Sequence, residues 1–180
     1  MLAYLSMAIQ RIIELGDPLL RATSLEVTVA SDAIPTLDDL RDTLHEFQRT
    51  NGFGRGIAAI QIAIPHRVIY IEISGRSYEL INPRLEWRSP ETFTLWDDCF
   101  SFPNLMVKLE RSKALRLRHQ DRLGVWHTIE AHDGFAELLQ HEVDHLDGIL
   151  SIDRALDPKH SFMTRSEYLR SQMYESLSVS

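Results

Sequence analysis

The stretch that most limits what this chain can become is Gln140-His141-Glu142-Val143-Asp144-His145-Leu146-Asp147-Gly148. It contains His-Glu-x-x-His. In a helix, residues four apart share a face, so His141 and His145 can reach one metal ion, with Glu142 beside it as a base. The flanks read as helix. Asp133 is a fair N-cap, and Phe135, Leu138, Leu139 and Leu146 fall on one side at about 100° per residue. Gly148 suits the position just past the helix end. On that wheel Glu142 lies within the apolar stripe and the histidines along its edge. Glu137, Gln140, Asp144 and Asp147 take the outer face, as on an ordinary solvated helix. A carboxylate is expensive to bury without a partner. Amphipathicity therefore does not account for Glu142, and chemistry does. The plain alternative is a chance pair of histidines on a surface helix, since short motifs recur by accident.

A chain of 180 residues is long enough to bury a core around such a helix. Its composition, 44% hydrophobic and 25% charged, is that of a globular protein. One domain over residues 1–180 is expected, with residues 160–180 as a C-terminal helix or tail. The net charge of −7 argues against a nucleic-acid partner. The basic residues from Arg111 to Arg122 alternate along a strand pattern and read as a solvated strand face. The single cysteine, Cys99, allows no internal disulfide and fits a reducing compartment. No apolar run approaches the length of a membrane span. The stretch Met1 to Met7 has neither a basic region nor a cleavage pattern, so it reads as a cytoplasmic start rather than a signal.

Thr36 to Asn51 reads as a helix, capped by Thr36 with Asp39 at the capping-box position. Its inner stripe is Leu37, Leu40, Leu44 and Phe47, and Gly52 ends it. Gly54-x-Gly56 lacks the third glycine of a dinucleotide fingerprint and the lysine of a phosphate loop. It is either a flexible turn before a strand or a place where small residues admit a close approach, with Gln61 pointing into the same space. Val68 to Ile73 and Tyr78 to Leu85 are strands joined at Gly75, the second closing at Asn82-Pro83. Trp87 to Trp96 is less regular. Leu115 to His119 and Val125 to Ala131 form a hairpin about Asp121 to Gly124. Phe162, Leu169, Met173 and Leu177 recur at helical spacing and suggest a terminal helix covering the core. The order of strands and helices gives an α+β fold: antiparallel or mixed strands around the central His-Glu-x-x-His helix.

A catalytic ion needs three protein ligands and one open position. Gly148 stops the helix before a third histidine of the longer zinc-peptidase motifs, and His160 has no diagnostic spacing. Cys99 is the better candidate. A lone cysteine is also commonly a buried, inert thiol, or a nucleophile. Asp97 and Asp98 oppose the nucleophile, because they disfavour a free thiolate, whereas a dication overrides them.

Three segments then stand together: Gly54-x-Gly56-x-Ala58-Ala59-x-Gln61, Cys99-x-Ser101, and Gln140-His141-Glu142-x-Asp144-His145-Leu146-x-Gly148. In order and spacing the chain resembles the peptide deformylases from about Ile12 to Asp157. Asp17-Pro18-x-Leu20-Arg21, Ile81-Asn82-Pro83 and Asp153-Arg154 agree. The resemblance implies a hydrolase that removes formyl from the N-terminal methionine of new polypeptides, in the cytoplasm and in association with the ribosome. It implies Cys99, His141 and His145 as ligands of one divalent metal, ferrous iron first, with zinc or nickel able to replace it. Glu142 is then the base that takes a proton from water and passes it to the leaving amine. The Gln61 amide and the Phe100 backbone N–H are expected to stabilise the oxyanion, and Gly54 and Gly56 to let a peptide run alongside as an added strand. Asp144 is a candidate brace behind the ligands.

The middle segment departs from the family pattern. Asp98 stands where a glycine is usual, and a positive φ there would strain it by about 1–2 kcal/mol. Phe100 replaces a leucine, and Met106 an arginine of many bacterial members. These changes leave the ligands and base intact but bear on the substrate. Two alternatives follow: an amide hydrolase for another N-formyl or N-acyl substrate, or a metal-retaining binding protein with little turnover. Glu142 speaks against the latter, since a pure binder has no need of it.

Overall fold

A computed structural model describes residues 9–178. The Met1 to Met7 segment and the side chain of Leu177 lie outside the described residues.

An opening segment leads through a short 3-10 turn, Pro18–Arg21, into helix α1, Ile34–Asn51. The strands follow as β1 (Gly56–Ala58), β2 (Val68–Ile73), β3 (Arg76–Arg88), β4 (Thr92–Asp98), β5 (Leu105–Ser112), β6 (Ala114–Gln120) and β7 (Trp126–His132). Helix α2 (Asp133–Leu146), strand β8 (Phe162–Thr164) and helix α3 (Arg165–Ser178) complete the order. Two antiparallel sheets result, β1-β2-β3-β6-β7 and β4-β5-β8. The expected α+β fold is what forms. Among the described residues no helix is long and apolar enough to cross a membrane.

The alternation of β2 explains why the larger sheet is buried on both faces. Ile69 and Ile71 pack toward α2 with Leu80, Leu115, Leu117, Leu139 and Val143. Val68 and Tyr70 face the other way, onto Leu37, Leu40 and Leu44 of α1. Successive strand residues point to opposite faces, so an uninterrupted apolar run is what a sheet between two helices requires. A third cluster, including Leu20, Cys99, Val107 and Leu150, joins the smaller sheet to the segment after α2.

Several expectations need correction. Helix α1 starts at Ile34, with Pro35 in its first turn and no side-chain cap, because a 3-10 turn over Ala30–Ala33 feeds directly into it. Thr36 is therefore inside the helix. Likewise α2 has no side-chain cap; Asp133 adopts φ 49° and donates its N–H to Lys113. Strand β3 does not close at Asn82-Pro83. It runs on to Arg88 through a bulge, where Asn82 at φ 52° is held by its own side chain against Val27 and Gln120. The irregular Trp87 to Trp96 resolves into the end of β3 and the start of β4. Phe162 lies on a strand and is exposed, as are Leu169 and Met173, so these residues do not cover the core.

The largest correction concerns α2 itself. Its supposed outer face does not exist: Glu137, Gln140 and Asp144 are all buried, and only Asp147 is exposed. From Ala136 to Leu146 the helix is buried on every side, and the polar residues of the supposed outer face are each held by a partner. Glu137 accepts from Arg55, Gln140 bridges the backbone of Ser112, and Asp144 accepts from Arg111 and Arg154. A helix wheel shows which residues share a side but cannot show that the polar side is also packed.

Candidate metal centre

The turn after β4 delivers Cys99, and successive turns of α2 deliver His141 and His145. Cys99 Sγ lies 3.2 Å from His145 Nε2, which lies 3.1 Å from His141 Nε2. All three donor atoms fall within 4.8 Å of one another and all three residues are buried. A tetrahedral ion with bonds of about 2.1 Å to nitrogen and 2.3 Å to sulfur would hold the two nitrogens about 3.4 Å apart and the sulfur about 3.6 Å from each. At these two contacts the set fits a transition-metal dication with adjustments of a few tenths of an ångström. One soft sulfur and two imidazoles suit iron, zinc or nickel rather than calcium or magnesium.

The electrostatics of the three donors differ from one another. Burial raises the Cys99 thiol, although His141 pulls against it. Burial would lower His141, yet the Asp97 carboxylate and Cys99 outweigh it and hold His141 well above the usual histidine range. His145 is driven well below that range by burial and by its neighbour. The two imidazoles are thus pushed in opposite directions. His145 Nδ1 is buried with no partner among the described residues.

Behind the three donor residues, Asp97 Oδ2 accepts from His141 Nδ1 at 2.9 Å and from Arg111 Nη2 at 3.1 Å. Burial raises Asp97, but His141 and Arg111 prevail and hold it at about 2. Asp97 is thus an ion that fixes the His141 tautomer, so that Nε2 faces the other donors. Asp144, the brace expected from sequence, touches neither histidine. It reaches the centre through Arg111 Nη1 at 2.5 Å and also accepts from Arg154. Arg111, taken for part of a solvated strand face, is 3% exposed and ties the two carboxylates together. Its signal was available: Arg111 shares the inward parity of Val107 and Leu109.

Glu142 points the other way along α2, at Gly56. A Cβ on residue 56 would stand 2.7 Å from Glu142 Oε1. Glu142 Oε2 has no partner among the described residues, and burial lifts the acid to about 7. Gln61 sits in a 3-10 turn, Ala59–Ile62. Its Oε1 accepts from the Ala58 N–H at 2.9 Å, which turns its amide nitrogen toward Ser101 Oγ at 3.3 Å and Cys99 Sγ at 3.6 Å. Gly54, at φ 124°, leaves room for the Phe100 ring, which a Cβ there would overlap. The close approach at the two glycines is thus made first by the protein's own Phe100 and Glu142. Phe100 also stacks on Phe47 at 3.8 Å.

These groups open onto a cavity of about 380 Å³, bordered by Phe53, Arg55, Asp98, Glu137, His141 and Glu142 among others. Of the departing residues, Asp98 is in ordinary strand conformation and carries no positive-φ strain. Its carboxylate pairs with Arg165 at the start of α3, and Arg165 lies over the Phe53 ring at 3.5 Å. Met106 is buried opposite Asp98 and does not border the cavity.

Fold and site together have the form of a metal-dependent hydrolase: three converging donor residues, a buried carboxyl beside them and a cavity that meets both. Comparison with known proteins gives the family. The model of the family described as polypeptide deformylase matches residues 9–161. The peptide deformylase of Bartonella tribocorum is 39% identical over 155 residues, covering 82% of this chain and 84% of its own. That of Bartonella quintana is 38% identical over 165 residues, covering 88% and 91%. The crystal structure of the Thermotoga maritima peptide deformylase superposes with a TM-score of 0.77 at 32% identity, over 83% of this chain and 99% of that one. A Synechococcus elongatus deformylase in complex with actinonin gives a TM-score of 0.78 at 26% identity, over 86% and 82%. The chain belongs to the polypeptide deformylase family.

Proposed function

We propose that this protein removes the formyl group from the N-terminal methionine of newly made polypeptides, with Cys99, His141 and His145 holding the metal and Glu142 moving the proton. The observation that carries the assignment of roles is the meeting of Cys99 with two imidazoles over 40 residues away in sequence, beside a buried acid whose Oε2 has no partner among the described residues. A dication held there would supply Lewis acidity, lowering the pKa of water toward neutrality and polarising the formyl carbonyl.

The chain's own residues do the rest. Glu142, lifted to about 7, can take a proton from water and return it near neutral pH. The proton goes to the amine as the formamide C–N bond breaks, and water's oxygen leaves in formate. The Gln61 NH2 group, aimed by the Ala58 N–H, and the Phe100 backbone N–H are the donors for the oxyanion. Losing one such donor typically costs about 10²–10³ in rate. β1 is an edge strand of its sheet, so a peptide can pair along Gly54 to Gly56. Ferrous iron is the first candidate ion, with zinc or nickel as replacements. The substrate is a product of the ribosome, which places the work in the cytoplasm and close to the emerging chain.

The test is formate release from formyl-Met-Ala-Ser by protein loaded separately with ferrous iron, zinc and nickel. Activity should need the metal, and Cys99→Ala should bind none. Full metal content in Cys99→Ala would remove the thiol from the ligand set. Loaded protein that yields no formate would overturn the reaction.

A further inference from the structure

The cavity that meets Glu142 and Gln61 carries an ion pair on its wall. Arg55, between the two glycines that precede and open β1, donates through Nη2 to Glu137 Oε2 at 2.8 Å and through Nη1 to the Gly134 carbonyl at 3.3 Å. Glu137 stands one turn before His141, so the same face of α2 presents both to the cavity. Its side chain is 4% exposed, against 42% for Arg55. The pair therefore has one end sealed in the protein and one end open to whatever fills the cavity.

The residue that carries the formyl group has to lie here. Its formyl carbon must reach Glu142 and Gln61, and the cavity beyond them is bordered by Phe53, Arg55, Asp98, Glu137 and Leu138. Asp98 is engaged by Arg165 and Glu137 by Arg55. The Arg55 guanidinium has five N–H groups and makes two hydrogen bonds within the protein, so it is the charged group with donors left for a ligand. An apolar side chain pressed on that guanidinium removes water without replacing its hydrogen bonds. A side chain ending in an oxygen acceptor replaces the water with a charge-assisted bond. The hydrocarbon stem of Arg55 still offers an apolar wall to methionine.

We infer that Arg55, held in place by Glu137, sets specificity for the side chain beside the formyl group, admitting chains of methionine's length that end in an oxygen acceptor, such as glutamine and methionine sulfoxide. The inference rests on the deformylase reading above and extends its range of substrates.

The experiment compares formate release by the metal-loaded protein from formyl-Met-Ala-Ser, formyl-Gln-Ala-Ser and the methionine-sulfoxide form of the first peptide. The parent enzyme should cleave the three with kcat/KM values within about tenfold of one another. Arg55→Leu combined with Glu137→Leu removes both charges and leaves no carboxylate unpaired. It should lower kcat/KM for the two acceptor peptides relative to the methionine peptide by at least tenfold, the worth of one hydrogen bond to a charged group. Arg55→Lys keeps a donor and should recover part of that ratio, which loss of fold alone would not. A parent enzyme that rejects the acceptor peptides by more than tenfold overturns the inference, with or without a folded variant. So does a ratio unchanged in the double variant. Formate from none of the peptides would overturn the deformylase reading instead.

Discussion

Glu142 occupies the space that a side chain on residue 56 would need. The 2.7 Å between its Oε1 and an added Cβ is below contact distance, and Ile71 closes the other side at 3.1 Å. Ile71 is fully buried and cannot give way. Gly56→Ala therefore displaces the acid rather than the wall. We expect a loss of about 10²-fold in kcat/KM for formyl-Met-Ala-Ser, as for a misplacement near 1 Å, with metal content unchanged. Steady-state kinetics beside elemental analysis checks this. An alanine variant as active as the parent would show that Glu142 works from another position.

The sequence carried the centre more fully than its surroundings. Residues 141, 142 and 145 are read from helical geometry alone, and Gly56 from its lack of a side chain. The alternation along β2 and the hairpin of β6 and β7 are legible for the same reason: their period is local. The burial of Arg111 could be read from its parity, but what it and Asp97 hold could not, because that cluster is assembled from β4, β5 and α2. Asp97 read as an acidic flank to Cys99, and only its distance to His141 shows what it holds. Asp98 was weighed as a strained replacement for glycine. Its real relation is to Arg165, 67 residues on, which no local pattern encodes.

Glu142→Gln should retain the metal and lose hydrolysis, since an amide cannot take the proton; general-base losses run to about 10²–10⁴. The same substitution has a thermodynamic signature in the metal-free protein. The folded state holds this carboxyl at about 7 against an ordinary 4.5. Below pH 4.5 it is protonated in both states and costs nothing. Between 4.5 and 7 the unfolded chain gives up the proton first, so stability falls, and above 7 the loss is complete. A shift of that size is worth of order 3 kcal/mol. Glu142→Gln should thus melt higher than the parent at pH 8 and nearly with it at pH 4. Equal melting at both would mean that the acid is solvated.

Asp97→Asn removes the negative charge that faces the His141 Nδ1 proton, and one of the two oxygens, while keeping the side chain's shape. Loss of such a brace commonly weakens metal binding by about 10–100-fold. Competition with a chelator at pH 7.5 should show an effect in that range, for iron and for zinc alike. Asp144→Asn, one step further from the ligands, should weaken the metal less. The reverse order would mean that Asp144 acts on the centre by a route other than Arg111.

Arg111 is the cation on which both carboxylates depend, and it is as buried as they are. Arg111→Met keeps an unbranched apolar stem and removes the charged guanidinium. Asp144 would still have Arg154, but Asp97 would keep only His141. Breaking a buried ionic cluster by deleting one partner costs about 3–5 kcal/mol, because the remaining charge is left uncompensated. The pH dependence gives the mechanism away. Asp97 is held at about 2 against an ordinary 3.8, so its contribution to stability is present above 3.8 and is lost as the pH falls through 2. The gap in unfolding free energy between parent and Arg111→Met should be widest above pH 4 and should close in strong acid. Urea denaturation of the metal-free proteins at pH 6 and near pH 2.5 measures it. A gap that stays constant across that range would assign the loss to packing of the arginine stem and not to the charge on Asp97.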